Sequence, residues 1–138
     1  MIHVVAAVIR DGEEFLACRR NKDRGGRWEF PGGKVETGET SHGALIREIA
    51  EELSVKISPG ATLTAVDETG AGLRIEFIHA ALSAERPTAS TDHDVLRWLR
   101  ASDLTSVDWA DADRQAVEVL VRINHSEAVI PPVGQQDA

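Results

Sequence analysis

Three glutamates, Glu48, Glu51 and Glu52, follow Arg47 closely and lie downstream of the glycine pair Gly32-Gly33. On a helix turning about 100° per residue, the three acids share roughly 100° of arc. Leu45, Ile49 and Leu53 occupy the adjoining arc, so one flank is apolar while the next presents carboxylates. Glu48 and Glu52 stand at i, i+4, where like charges repel by a few tenths of a kcal/mol. Two chemistries account for such a face. It is a solvated surface relieved by Arg47 and outside cations, or it holds a divalent cation. Mg²⁺ favours oxygen ligands in a fixed octahedron, and its usual partner is a substrate phosphate. A glycine turn just before the helix lets backbone approach a bound ion closely.

The elements that must position these residues can be read from pattern. Residues 3 to 10 are rich in Val and Ile and end at Asp11-Gly12, a turn pair, with EFLACRR as the returning strand of a hairpin. NKDRGGR, residues 21 to 27, reads as an exposed loop, and a short WEF strand enters Pro31-Gly32-Gly33. Thr40 and Ser41 are both suited to cap a helix spanning about 41 to 53. Pro59-Gly60 is expected to end the segment after it. ATLTAVDE, LRIEFIHAAL and VLRWLR are further strands, and residues 111 to 123 form a second helix with Val117, Leu120 and Val121 inward. Strands interleaved with two separated helices predict an α/β fold, an α/β/α sandwich around a mixed sheet. Residues 1 to 126 make one domain, and the Pro- and Gln-bearing tail from 127 to 138 is expected to be flexible.

The formal charge of −8 argues against a nucleic-acid polymer or an anionic membrane as partner. A small phosphorylated ligand stays open, because metal ions and a few placed arginines reverse the sign locally. Arginines outnumber lysines twelve to three, which suits forked recognition of phosphate. The single cysteine, Cys18, lies in an apolar strand and reads as a core thiol in a reducing compartment. MIHVVAAVIR is too short for a signal sequence, and no stretch approaches the roughly 20 apolar residues of a membrane span, so the cytoplasm is expected.

The spacing around the acids is specific. Gly33, five residues, Glu39, seven residues, then Arg47-Glu48-Ile49-Ala50-Glu51-Glu52-Leu53-Ser54-Val55 resembles the signature of the Nudix hydrolases, G-x5-E-x7-R-E-U-x-E-E-x-G-U with U bulky and aliphatic. One defined position departs: Ser54 stands where the family has glycine. That position falls just past the helix end, where a left-handed cap is common, so serine there should cost about 1 kcal/mol or shift the helix end.

The resemblance implies an Mg²⁺-dependent hydrolase of diphosphates, with Mn²⁺ as a possible substitute. The Gly32 carbonyl, Glu51 and Glu52 would be metal ligands, and Glu48 would bind a second ion or orient the attacking water. Arg47 would pair with one of the acids and hold its rotamer. Metals neutralise the diphosphate and acidify bound water, and a carboxylate takes its proton. Glu39 belongs to the match, or serves only the helix dipole. Lys34 could reach a phosphate. Arg19 and Arg20 leave their strand on opposite faces, so one of them would see substrate.

RWEFPGGKVETGE and the Arg19-Arg20 doublet look like the MutT-like subgroup in particular. That pattern places an acid six residues before a tryptophan; here they are Asp92, where glutamate is usual, and Trp98. Asp92 would bind metal or act as base, with His93 beside it as an alternative proton acceptor or an ordinary loop residue. The subgroup's base-reading position falls on Asp113, whose ionised carboxylate would accept from guanine N1–H and N2–H₂ or from the cytosine amino group. Asp113 equally suits a helix N-terminus. Trp28 and Phe30 offer a stacking face or belong to the core.

The expected function is hydrolysis of nucleoside triphosphates, modified or surplus, to the monophosphate and pyrophosphate, by a monomer or homodimer. The alternatives are another nucleoside diphosphate derivative, such as a nucleotide sugar or dinucleoside polyphosphate, and a non-catalytic sensor on the same scaffold.

Overall fold

The strand IHVVAAVIRD is apolar on both of its faces, and that pattern organises the molecule. In the computed structural model, which describes residues 1–129 (without the side chains of 24 and 127–129), it forms β1, Ile2–Asp11. Val5, Ala7 and Ile9 point one way, joining Leu16, Cys18, Leu45, Ile49 and Leu53 in one buried cluster. Ala6 and Val8 point the other way, joining Phe30, Phe77, Trp109, Ala116, Val117 and Leu120 in a second. A strand period of two therefore feeds two cores, one under each helix.

The remaining elements are β2 (Glu14–Arg20), β3 (Trp28–Glu29), β4 (Gly32–Lys34), α1 (Ser41–Leu53), β5 (Ile57–Glu68), β6 (Leu73–Leu82), β7 (His93–Arg100) and α2 (Asp111–Val129). The strands run β3-β2-β1-β6-β5, with β4 added to β1 and β7 to β2. β1 lies antiparallel to β2 and β4 and parallel to β6, so the sheet is mixed. Helix α1 covers one face and α2 the other, which is the expected α/β/α sandwich. Cys18 is fully buried among apolar neighbours, as expected, and burial pushes its thiol pKa up. No described helix is long and apolar enough to cross a membrane.

Three expectations are corrected. Pro59-Gly60 does not end a segment: β5 starts at Ile57 and runs through both residues, with its pairing register shifting between Pro59 and Thr62. It is an edge strand, where a missing proline N–H costs no ladder bond and a bulge absorbs the misfit. The WEF strand shrinks to Trp28–Glu29 because Phe30 turns into the core. The second helix continues past 123 to Val129, since no Pro or Gly interrupts it before Pro131. Residues 127–129 of the expected flexible tail thus belong to α2, and 130–138 lie outside the described residues.

Candidate active site

Helix α1 begins where Thr40, in extended conformation, accepts a hydrogen bond from Gly43 N at 3.0 Å through its hydroxyl. It ends at Ser54, with φ 57° and ψ 34°, in the left-handed region, its N–H bonded to Ala50 O. Ser54 holds the left-handed cap of the motif glycine, so the helix end has not shifted.

Arg47 is the hub of the acidic face. Its Nε and Nη2 donate to both oxygens of Glu39 at 2.8 and 2.9 Å, a bidentate pair. Nη1 donates to Glu48 at 3.0 Å and to Glu51 at 3.4 Å, and Nη2 also reaches the Lys34 carbonyl. Glu39 in turn accepts from Glu36 N. Hydrogen bonds from Arg47 and from Glu36 N hold the Glu39 carboxyl down at about 2. Glu39 lies just before the N-cap, outside the first turn of α1, and fastens Arg47. Gly33 explains its own place in the motif. A Cβ there would stand 2.3 Å from the Glu48 carboxyl carbon, and one on Gly32 would strike the Val5 carbonyl. Only glycines let β4 lie between β1 and the Glu48 side chain.

Glu52 differs from its neighbours. It is 8% exposed, and its Oε2 is buried with no hydrogen-bond partner. Thr91 N donates to the Glu52 carbonyl at 3.0 Å, which ties the loop before β7 to the end of α1 and sets the Asp92 carboxylate beside Glu52. Burial first, then Asp92, Glu48 and Glu29, push the Glu52 carboxyl up to about 9. A crowd of carboxylates around an orphaned buried oxygen fits a site made for an added cation. Among the described residues no three acidic, His or Cys side chains converge on one point, because Arg47 draws Glu48 and Glu51 to itself.

Glu52 and Asp92 border a cleft of about 670 Å³ between β4, the β5–β6 end and the start of α2, lined also by Gly32, Gly33 and Lys34, whereas Arg47, Glu48 and Glu51 do not line it. Arg20 opens onto it as well, whereas Arg19 pairs with Asp94 at 2.8 Å on the far side. Only one of the doublet faces the cleft, as expected. Asp113, from the first turn of α2, lines the opposite wall; its Oδ1 accepts from Phe30 N at 2.8 Å. Burial outweighs that hydrogen bond and raises its carboxyl to about 7.

Phe30 reaches the cleft but is 3% exposed, stacked on Trp109 with ring centroids 4.7 Å apart. Trp28 is corrected more fully: its ring is buried under the Arg97 guanidinium, 4.7 Å away, and does not line the cleft. One residue that the sequence did not single out, Glu29, gains importance, and His93 changes its place. Glu29, which lines the cleft, bonds Arg20 through one oxygen and His93 through the other. His93 opens β7 and is buried, so the reading of it as a loop residue is corrected. The available signal was a charged residue, Glu29, between two aromatics in a strand that enters the glycine turn.

The family model described as NUDIX domain matches residues 1–120. The chain is 38% identical over 136 residues, 92% of each chain, to the putative 8-oxo-dGTP diphosphatase 2 of Mycobacterium tuberculosis strain H37Rv. It is 35% identical over 127 residues, 89% of this chain and 93% of the other, to the CTP pyrophosphohydrolase of Escherichia coli K12. Among solved structures, the E. coli ORF135 protein superposes with a TM-score of 0.75 at 28% identity, covering 91% of this chain and 92% of that one.

Proposed function

The chain belongs to the NUDIX family of hydrolases, and from that premise we propose that it cleaves nucleoside triphosphates to the monophosphate and pyrophosphate. The observation that carries the proposal is the cleft itself. It joins the orphaned Glu52 oxygen and Asp92 to the cations Arg20 and Lys34, with a buried hydrogen-bonding residue, Asp113, across from them. Acids suited to a metal, cations suited to phosphate and a polar residue suited to a base edge line one cleft, which supports a nucleotide as the ligand. The relatives named for 8-oxo-dGTP and CTP hydrolysis support nucleotides as the substrate class. The cytoplasm suits both nucleotides and the free Cys18 thiol, and the working form is a monomer or homodimer.

Nudix hydrolases as a family need a divalent metal. Here the Gly32 carbonyl, Glu48, Glu51 and Glu52 would hold Mg²⁺ or Mn²⁺, which when bound neutralises the diphosphate and lowers the pKa of its water. Arg47 holds Glu48 and Glu51 to itself, so both carboxylates must turn away from its guanidinium to serve as ligands. Arg20 and Lys34, which also line the cleft, bind phosphate oxygens and orient the anhydride. Asp92, beside Glu52 and open to the cleft, takes the proton of the attacking water. Asp113 reads the base edge: ionised it accepts hydrogen bonds, and protonated it also donates one. Phe30 supports the base from below while remaining packed on Trp109.

The test is product analysis of a nucleotide panel with Mg²⁺, for wild type and for Glu52→Gln. Pyrophosphate and monophosphate from a triphosphate, lost in the variant, are expected. Turnover of nucleotide sugars or dinucleoside polyphosphates in preference to triphosphates would redirect the substrate class. No turnover of any diphosphate compound at micromolar enzyme would replace catalysis with sensing.

A further inference from the structure

Behind the cleft, a single-file run of hydrogen bonds connects the loop carrying Asp92 to the guanidinium of Arg20. Asp92 N donates to Ser90 Oγ at 3.2 Å. Ser90 Oγ lies 2.8 Å from His93 Nδ1. His93 Nε2 lies 2.8 Å from Glu29 Oε2, and Glu29 Oε1 accepts from Arg20 Nε at 2.6 Å. With a neutral His93 ring, one assignment of protons satisfies every link. Glu29 can only accept, because hydrogen bonds from His93 and Arg20 and the Arg20 charge outweigh its burial and keep its carboxyl ionised. His93 Nε2 must then carry the proton. Nδ1 is left as an acceptor, and the Ser90 hydroxyl, whose oxygen already receives the Asp92 N–H, supplies the donor.

The chain is built into the sheet. β2 and β7 pair in antiparallel register up to Arg19 opposite Val95, and the next pair is Arg20 opposite His93. The register shift leaves Asp94 as the extra residue, and Asp94 takes up Arg19. This bulge therefore sorts the doublet: one arginine is tied down outside, and the other is set beside Glu29 and His93. The His93 side chain is 1% exposed, against 47% for Arg20, so the rigid end of the chain is buried and the working end reaches solvent.

We propose that His93 is a positioning residue for phosphate binding: its Nε2–H fixes Glu29, and Glu29 fixes the Arg20 guanidinium at the cleft. The same chain couples that arginine to the backbone of Asp92, so the phosphate-binding and proton-accepting sides of the cleft share one frame. The proposal rests on the triphosphate reading through the role of Arg20, and its structural half stands without it.

The test uses the full chain. In NMR spectra of wild type, the unprotonated His93 nitrogen should be Nδ1 and the Arg20 Nε–H should be protected from exchange; these readouts need no substrate. His93→Leu should expose the Arg20 Nε–H and raise KM for a triphosphate about tenfold, with a smaller change in kcat. His93→Gln, which keeps a donor near the Nε2 position, should restore most of the loss. Arg20→Met should raise KM at least as much, and the double variant His93→Leu/Arg20→Met should be no worse than Arg20→Met alone, because both act through one guanidinium. Additive losses, an unprotonated Nε2, or an unchanged KM in folded His93→Leu would overturn the proposal. If His93→Leu does not fold, Ser90→Ala takes its place in the cycle, with a two- to threefold effect expected and the same additivity criterion. Wild type that shows the protected Arg20 signal but hydrolyses no triphosphate would refute the substrate reading and leave the hydrogen-bond chain in place.

Discussion

Replacing Ser54 with glycine should stabilise this protein without touching its chemistry. Ser54 is the single non-glycine residue with positive φ among the described residues, at φ 57° and ψ 34°. An L-residue in this conformation costs roughly 1–2 kcal/mol, because Cβ crowds the following carbonyl oxygen. The side chain is exposed and makes no hydrogen bond among the described residues, so its removal forfeits nothing on that side. The bond from its N–H to Ala50 O, 3.1 Å, belongs to the backbone and survives. Glycine has more unfolded-state freedom to lose, roughly 0.5–1 kcal/mol, which offsets part of the gain. The net expectation for Ser54→Gly is about 0.5–1 kcal/mol of added stability, or roughly 2–4 °C in Tm for a domain of this size. Urea unfolding of the metal-free protein measures it directly, as a higher midpoint at unchanged m. Ser54→Val gives the opposite arm, since a β-branched residue fits the left-handed region worst, and should lose about 1 kcal/mol. A Ser54→Gly midpoint equal to or below wild type, at equal m, would refute the account of how the helix stops.

Three further outcomes follow from the site. Gly33→Ala places a methyl 2.3 Å from the Glu48 carboxyl carbon and must move that side chain; kcat should fall about 10–100-fold while circular dichroism stays native. The Glu52 carboxyl at about 9 means the metal-free site carries a proton that a cation must displace. Mg²⁺ affinity should therefore rise with pH up to about 9, and calorimetry in two buffers of different ionisation enthalpy should detect proton release; Glu52→Gln should abolish that release. Asp113 has its folded pKa raised from 3.8 to about 7, so the native state holds more protons than the unfolded one in that window. Its contribution is fully stabilising below about pH 4 and is lost as pH rises to about 7. Asp113→Asn, which keeps an acceptor for Phe30 N, should flatten this part of the stability curve in urea titrations at several pH values.

Much of the architecture was legible before any coordinates. The spacing from Gly33 to Val55 identified the acidic helix and its family, and the bounds 41 to 53 were correct because Thr40 and the Leu45-Ile49-Leu53 repeat are local signals. The left-handed end at Ser54 was equally legible, being a property of one position past one helix. Strands interleaved with two separated helices foretold a sheet covered on both faces. The helix bounds and the cap depend on neighbours within about four residues, the range over which chain geometry and propensity act, and the motif on spacing along one continuous segment.

The site's partnerships needed the tertiary structure. Which arginine of the doublet faces the cleft depends on a bulge between β2 and β7, strands more than seventy residues apart. His93 meets Glu29 across 64 residues of chain, and Asp113 meets Phe30 across 83. Trp28 looked available for stacking until packing laid Arg97 over it, and Pro59 looked like a terminator until β5 proved to be the sheet's edge. In each case the deciding quantity was burial or register, set by sheet order and by what packs on each face. The sequence alone established the family and which acids, arginines and lysine are candidates for its chemistry. Folding decided which of them meet, because contact between distant side chains is a property of the assembled sheet.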